Sequence, residues 1–146
     1  MPPVPCPNPV FRLKPCLGGA TLEMTWNMPY LASIATVRLQ GDGSKYFGES
    51  SECVAAVKYF AKAPRTPFWK KGALVKNNGT IRPGTAIATF DSHGKYKGHA
   101  AIYDSQTSAG LIVYDQWNGR EFDSRLIPFR GRGYASNDGE QFYVIE

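Results

Sequence analysis

The sequence predicts one α+β domain, in which a helix precedes a set of short antiparallel strands. Apolar residues recur with helical spacing between Ser50 and Lys62, whereas the period becomes strand-like after Pro83-Gly84. A helix followed by strands is the order typical of α+β proteins. The length of 146 residues suits one domain, and 42% hydrophobic with 20% charged residues is a globular composition. Residues 1–146 therefore read as a single domain.

The N-terminal segment, residues 1–20, is predicted to be an extended arm because six of its positions are proline. Cys6 and Cys16 both lie in this arm. In an oxidising compartment they would close a small disulfide loop, and in the cytosol they would stay free thiols. The sequence leaves both alternatives open, and Cys53 has no partner in either case.

The next segment, Thr21–Gln40, has an ambiguous pattern, and Pro29 argues against one uninterrupted helix. Glycines then mark a loop. A helix begins near Ser50 or Ser51, either of which would cap it, and ends before Pro64. Its apolar residues fall three and four positions apart and predict one buried face: Cys53, Val54, Val57 and Phe60.

Four segments in the second half of the chain are predicted to be strands. Each is short, rich in β-branched or aromatic residues, and bounded by Gly, Asn, Asp or Ser. The segments are Thr85–Phe90, His99–Tyr103, Leu111–Trp117 and Gln141–Glu146.

The net charge of +5, from 17 Lys and Arg against 12 Asp and Glu, favours anionic partners such as nucleic acid, anionic lipid or the bacterial envelope. The basic residues are dispersed and carry no helix-turn-helix, zinc-finger or RRM signature, so no nucleic-acid partner is predicted. No apolar run reaches the roughly 20 residues of a membrane-spanning helix. The first twenty residues also lack the apolar region of a secretory signal.

Cys53 is the first candidate for chemistry because it falls in the first turn of the predicted helix. Unpaired N–H groups and the positive end of the helix dipole favour an anion there and lower the pKa of a thiol. The alternative is a small core residue, which is the commoner role of a cysteine on an amphipathic helix.

His99 is the second candidate, because a hairpin would bring it to a carboxylate. If Tyr103 pairs with Leu111 around the intervening loop, His99 lies directly opposite Asp115. Directly opposed residues have Cβ atoms about 4.5–5.5 Å apart, so the carboxylate would reach the imidazole. A register slip of two would instead place Val113 or Trp117 opposite His99.

Together these residues would supply a nucleophile (Cys53), a base (His99) and a group that orients the base (Asp115). Cysteine on a helix, histidine on a strand and a polar residue on the next strand is the order of papain-like thiol hydrolases. A competing metal site would combine His93 and His99 with Asp91 or Asp104 as the third ligand. The chain has only two histidines and lacks an HExxH motif or ligand-spaced cysteines, so no metal or other cofactor is predicted.

The stretch from about residue 52 to residue 146 resembles the NlpC/P60-like cysteine peptidases. It is most similar to the type VI secretion amidase effector family, which acts on peptidoglycan. Thr85 stands where NlpC/P60 enzymes usually carry an aspartate after the Pro-Gly pair, a departure that points to the effector branch. The matching segments are ECVAAVK, IRPGTAIATF, GHAAIYD, VYDQW, RLIPF and FYVIE.

The resemblance implies a papain-like NlpC/P60 fold, with an N-terminal helical part that carries the catalytic cysteine at a helix start and packs on a small antiparallel sheet. It implies a thiol amidase that cleaves the diaminopimelate–D-alanine cross-link or the D-glutamate–diaminopimelate bond of peptidoglycan. Cys53 would be the nucleophile, His99 the base and Asp115 the orienting residue. Trp117, Gln116 and Tyr103 are expected in the substrate groove.

The resemblance also implies partners and a location. The chain would be made in the cytoplasm without a signal peptide and carried by the type VI apparatus into the periplasm of a target cell, as an antibacterial toxin. A cognate periplasmic immunity protein would protect the producer. A Cys6–Cys16 bridge would suit that oxidising compartment. Two other hypotheses stay open: a catalytically inactive envelope-binding module, and a thiol acyltransferase or deamidase acting on protein.

Overall fold

The computed structural model describes the backbone of residues 10–16, 19–27, 29–131 and 133–146, and the side chains of residues 29–131 and 133–146. Strand β1 (Val10–Cys16) pairs antiparallel with β2 (Gly19–Asn27) in a two-stranded sheet. Residues 10–16 of the predicted extended arm form this strand, which satisfies its backbone groups by pairing with β2. Residues 1–9 lie outside the described residues. The predicted Cys6–Cys16 bridge falls there too, since it requires Cys6.

Two helices and six strands form the rest of the described chain. The helices are α1 (Ile34–Gln40) and α2 (Cys53–Ala61). The strands are β3 (Lys71–Leu74), β4 (Ala86–Phe90), β5 (Tyr96–Gln106), β6 (Gly110–Trp117), β7 (Arg120–Pro128) and β8 (Phe142–Ile145).

The six strands make one antiparallel sheet in the order β3-β8-β4-β5-β6-β7. Helix α2 packs on β5 and β6. The mixed helix and strand architecture agrees with the predicted α+β class. The expectation that strands come only after the helices is wrong, since β1 and β2 precede both helices.

The N-cap of helix α2 lies one or two residues later than the predicted cap. Glu52 is the N-cap and makes no side-chain capping hydrogen bond. The hydroxyl of Ser50 accepts a hydrogen bond from the N–H of Glu52 at 3.2 Å, so this serine orders the turn before the helix. The helix ends at Ala61, and Lys62 reverses the chain in the left-handed conformation with φ of 58°.

Apolar side chains pack on both faces of the sheet. Ala100 and Ile102 of β5 contact the cluster that includes Val57 of α2, whereas Ala101 and Tyr103 contact the cluster on the opposite face. This alternation is the one that the period of two predicts for β5. Because α2 lies on the Ala100 face, its first residue reaches the start of β5.

The predicted register of the β5–β6 hairpin is wrong by two residues. Tyr103 pairs with Val113, and Leu111 pairs with Gln106. The loop is shorter than predicted because β5 continues to Gln106, and the N–H of Thr107 donates to the carbonyl of Gly110 at 2.9 Å. Continued along both strands, the observed register sets Trp117 opposite His99.

Within the described residues, none of the helices has the length and apolar content needed to cross a bilayer.

Candidate active site

Cys53, His99 and Asp115 meet at the contact between the start of α2 and the edge of the β5–β6 hairpin. Nε2 of His99 lies 2.7 Å from Oδ2 of Asp115. His99 is 5% exposed and Asp115 1% exposed. The two residues are diagonal neighbours in the observed register, and a histidine side chain is long enough to reach a diagonal partner. The structure thus brings the predicted pair together through a different register.

The thiol of Cys53 forms a hydrogen bond with His99. Because Nε2 of His99 is bound to Asp115, Nδ1 is the ring nitrogen that remains for Cys53. Burial raises the pKa of the Cys53 thiol, but the hydrogen bond and positive charge of His99 outweigh it and lower that pKa. The hydroxyl of Tyr96 and the backbone of Ala100 lower it further. The arrangement therefore favours a thiolate.

His99 is held in its charged form by the same contacts. Burial lowers the pKa of the imidazole, but the hydrogen bonds and negative charges of Asp115 and Cys53 raise it to about 9. A lowered cysteine pKa beside a raised histidine pKa favours a thiolate–imidazolium pair. Such a pair is a nucleophile with a proton donor already in place.

Tyr96 completes the environment of the thiol. Its hydroxyl lies 3.5 Å from Sγ of Cys53 and 3.3 Å from the carbonyl oxygen of Gly98. Burial and the charge of Cys53 raise the pKa of the Tyr96 phenol, so the hydroxyl stays protonated. A neutral phenol has one proton, which it can donate either to the sulfur or to the carbonyl oxygen of Gly98.

Two arginines fix the carboxylate of Asp115 from β7. Nε of Arg125 donates to Oδ2 at 2.7 Å, and Nη1 of Arg120 donates to Oδ1 at 2.9 Å. Burial raises the pKa of Asp115, but His99 and Arg125 outweigh it and lower that pKa. The carboxylate is therefore ionised and oriented before any substrate arrives.

The arginines also order the surface beside the site. Their guanidinium carbons lie 4.7 Å (Arg120) and 5.0 Å (Arg125) from the centre of the Trp117 ring. The remaining N–H groups of Arg125 reach the carbonyl of Ser136 at 2.9 Å and Oδ1 of Asn137 at 3.5 Å. The other donors of Arg125 are therefore engaged within the protein. Both arginines contact Asp115 and Trp117.

Trp117 lies where a groove residue would lie. It is 40% exposed, and its ring centre is 6.2 Å from that of His99. This placement is compatible with the predicted contact to substrate, which stays a proposal.

Gln116 does not line a groove, and this expectation is corrected by its burial. The residue is 0% exposed. Its amide binds the backbone of the loop that leads into α2: the carbonyl oxygen accepts from the N–H of Phe47 at 2.9 Å, and Nε2 donates to the carbonyl oxygens of Phe47, Ser50 and Glu52 at 2.9–3.1 Å. Gln116 therefore positions the segment that carries Cys53.

Tyr103 is also not in the site. It is 4% exposed and packs with the core cluster that includes Val113. Its hydroxyl accepts a hydrogen bond from Nε2 of Gln106 at 3.2 Å. The residue shares a sheet face with His99 but lies four positions further along β5, about 13 Å away at the usual strand rise.

Two residues of the competing metal site, Asp91 and His93, lie in a turn. Oδ1 of Asp91 accepts hydrogen bonds from the N–H of His93 at 2.8 Å and of Lys95 at 3.0 Å. Asp91 is thereby committed to the β4–β5 connection, and the side chain of His93 is exposed.

Sequence reasoning missed Tyr96, Arg120 and Arg125. The alternation of side chains along β7 could have indicated Arg125. Asp115 pairs with Asp123, so Arg125, two residues further, is a diagonal neighbour of Asp115 on the same face of the sheet. Tyr96 and Arg120 have no comparable signal, because their positions depend on the packing of α2 and on the bulge that shifts the register between Asp115 and Trp117.

The reactivity of Cys53 gives a first prediction. We expect iodoacetamide to alkylate Cys53 rapidly at pH 7, with a rate that falls as the pH drops through its lowered pKa. In His99→Ala the two strongest stabilising effects are absent and burial raises the pKa, so the rate at pH 7 should fall at least ~10-fold, the factor for one pKa unit. Peptide mapping separates Cys53 from the other two cysteines. Equal rates in both proteins would contradict the ion pair.

Comparisons of the sequence and the structure with known proteins identify the same protein family. Residues 27–145 match the profile described as "Domesticated amidase effector 2". The chain is 41% identical over 127 residues to the domesticated amidase effector 2 of Ixodes scapularis, covering 80% of this chain and 89% of the relative. It is 34% identical over 137 residues to the type VI secretion amidase effector 2 protein of Salmonella typhi, covering 82% and 100%. The solved structure of type 6 secretion amidase effector 2 superposes with a TM-score of 0.69 at 27% identity, covering 80% of this chain and 94% of that chain.

Proposed function

Because the chain belongs to the amidase effector 2 family, we propose that it is a cysteine amidase that hydrolyses an amide bond in the peptides of bacterial peptidoglycan. The observation that carries the proposal is the contact chain from Cys53 through His99 to Asp115. A thiol amidase needs a thiolate, a proton donor and a group that orients the donor. Cys53, His99 and Asp115 supply these in that order. The same constellation supports a papain-like assignment for the fold, with the nucleophile at a helix start.

The proposed reaction runs through a thioester. The thiolate of Cys53 attacks the amide carbon, and the imidazolium of His99 transfers its Nδ1 proton to the leaving amine as the C–N bond breaks. His99, now neutral, takes a proton from water while the water oxygen attacks the thioester. The C–S bond breaks, the acid product leaves, and the ion pair is restored. Asp115 holds the ring in one orientation throughout.

The start of α2 would stabilise the negative oxygen of the tetrahedral intermediate. Backbone N–H groups of a first helical turn have no intrahelical acceptor. Cys53 is the first residue of α2, so its N–H is the donor that we assign to that oxygen. One such donor contributes about 2.7–4 kcal/mol to transition-state stabilisation in other hydrolases.

The bacterial relative, which is named a type VI secretion effector, supports a proposal for the biological setting. We place this chain in the same setting: cargo of a type VI apparatus, active as an antibacterial toxin in the periplasm of the target cell, with a cognate immunity protein in the producer. The net charge of +5 suits an anionic cell wall. The candidate bonds are the diaminopimelate–D-alanine cross-link and the D-glutamate–diaminopimelate bond.

Digestion of purified Gram-negative peptidoglycan tests the proposal. We expect new muropeptides, read by mass spectrometry, after incubation with the protein and none after incubation with protein whose thiols have been blocked by iodoacetamide. The fragment masses identify which of the two bonds is cut. An unchanged muropeptide profile from folded, unblocked protein would overturn the amidase. Co-sedimentation with the insoluble wall in that case would assign the chain to envelope binding.

A further inference from the structure

A groove of about 730 Å³ opens beside the nucleophile. One wall is the segment 66–71, which leads into β3, and the other is the turn 93–96 at the start of β5. The lining residues are Thr66, Pro67, Phe68, Trp69, Lys70, Lys71, His93, Gly94, Lys95 and Tyr96. Neither wall belongs to the catalytic triad, so the groove is a separate feature that adjoins it.

Tyr96 connects the groove to the catalytic thiol. The same side chain lines the groove and places its hydroxyl 3.5 Å from Sγ of Cys53. The ring of Trp69 meets the ring of Tyr96 edge-on at 5.0 Å, and Nε1 of Trp69 donates to the carbonyl of Pro64 at 2.7 Å. Trp69 is 4% exposed. The inner end of the groove is therefore built from fixed aromatic rings, one of which, Tyr96, contacts the nucleophile.

The groove is strongly basic. Lys70 and Lys71 lie on one wall and Lys95 on the other, all exposed, with His93 beside Lys95. Among the described residues that line it, none is acidic. Lysines on opposing walls that face a shared space attract an anion between them, and low-dielectric walls strengthen that attraction.

Phe68 gives the groove an apolar contact at its outer end. The residue is 61% exposed, and the guanidinium carbon of Arg65 lies 5.9 Å from its ring centre. An exposed aromatic ring flanked by cations suits a ligand with a short apolar part and a negative group. Alanyl residues and the methylene chains of peptidoglycan stems combine these features with free carboxylates.

We propose that this groove is a subsite for the carboxylate-bearing peptide stem on one side of the scissile bond, with Lys70 and Lys95 as the anchoring charges. The inference rests on the proposed amidase function and adds to it a specificity: stems with free carboxylates bind better than stems whose carboxylates are amidated.

The test measures steady-state kinetics of the full chain on soluble cross-linked fragments released from Gram-negative peptidoglycan by a muramidase. Lys70→Glu and Lys95→Glu change one lysine on each wall. Lys45→Glu is the matched control, because it makes the same change in net charge at an exposed position outside the groove. We expect each groove variant to raise KM about fivefold with kcat within twofold of wild type, the range for partly exposed charge pairs. The control should leave both constants unchanged.

A second substrate separates a carboxylate subsite from a general effect of charge. Fragments amidated with carbodiimide and ammonia should show a raised KM with the wild type and no further loss with Lys70→Glu or Lys95→Glu. Groove variants that match the wild type on native fragments, or a control variant as weak as they are, would overturn the subsite.

Binding to Cys53→Ala, measured by titration calorimetry with the same fragments, distinguishes this inference from the amidase proposal. Lysine-dependent binding without hydrolysis by the wild type would sustain the subsite and reject the amidase. Hydrolysis with the same KM in Lys70→Glu, Lys95→Glu and the wild type would reject the subsite and sustain the amidase. Fragments that neither bind nor react would reject both.

Discussion

Cys53→Ala is expected to abolish hydrolysis of peptidoglycan fragments and to leave the fold intact. Removal of the nucleophile from a triad lowers kcat by about 10⁴–10⁶-fold in other hydrolases, because the remaining groups have no partner to act on. Cys53 is half-buried at the first position of α2, and alanine is the best helix former, so the substitution suits that position. The melting temperature should stay within about 4 °C of the wild type, the shift that corresponds to about 1 kcal/mol.

The measurement is release of soluble muropeptides against time for wild type, Cys53→Ala and Cys53→Ser. The serine variant controls for the size and polarity of the side chain. Its hydroxyl has a far higher pKa than a thiol, so His99 would not generate an alkoxide and activity should also be lost. Turnover by either variant at more than a hundredth of the wild-type rate, in folded protein, would show that Cys53 is not the nucleophile.

The contact between His99 and Asp115 was predictable from strand periodicity even though the register of the two strands was not. A slip of two residues moves each side chain along the strand but keeps it on the same face, whereas a slip of one would turn it to the other face. His99 and Asp115 therefore stay on one face in both the predicted and the observed register. The contact survives because the imidazole reaches diagonally to the carboxylate at 2.7 Å.

Other parts of the site depend on contacts between distant segments, which periodicity does not encode. Gln116 lies on the face of β6 opposite to Asp115, and periodicity does not say whether that face is open or covered; the residue is buried because the loop from Phe47 to Glu52 folds over it. Only the path of that loop decides between these two cases. A polar residue in a strand is exposed or buried according to what covers the sheet there.

Strands β3 and β7 were missed for related reasons. Three of the four residues of β3 are exposed, so it shows no alternation and is held by backbone pairing with β8. In β7 the buried residues Phe122 and Ile127 lie five positions apart, which breaks the period of two. The helix α2 and the strands β4, β5, β6 and β8 were predictable because each has a face that is buried along most of its length.

Loss of Asp115, unlike loss of the nucleophile, should lower both activity and stability. In Asp115→Asn the side chain keeps its shape but loses its charge. The charge and hydrogen bond of Asp115 raise the pKa of His99, whereas burial lowers it, so that pKa should fall below about 9 in the variant. The alkaline limit of activity then moves to lower pH, because the imidazolium is lost earlier as pH rises. We expect kcat to fall about 10²–10⁴-fold, as it does when the aspartate of a serine-protease triad is amidated.

Asp115→Ala should in addition destabilise the fold. Arg120, Arg125 and His99 would lose their shared anion, and breaking a buried ion pair on one side costs about 3–5 kcal/mol. The two arginine side chains are 23% and 17% exposed, so solvent would offset part of that cost and about 3 kcal/mol is expected. Urea unfolding of both variants measures the difference, and Asp115→Asn should lose less because its amide oxygen still accepts hydrogen bonds.

Asp104→Asn is the matched control for these two variants. Asp104 binds Arg38 through two hydrogen bonds of 2.9 and 3.0 Å, outside the site, so its loss removes an ion pair without touching His99. It should lower stability modestly and leave the pH profile of hydrolysis unchanged. A profile that shifts as much in Asp104→Asn as in Asp115→Asn would mean that the pH limits reflect stability of the fold. A profile that shifts only in Asp115→Asn ties the alkaline limit to the imidazolium of His99, since that is the ionisation which Asp115 controls directly.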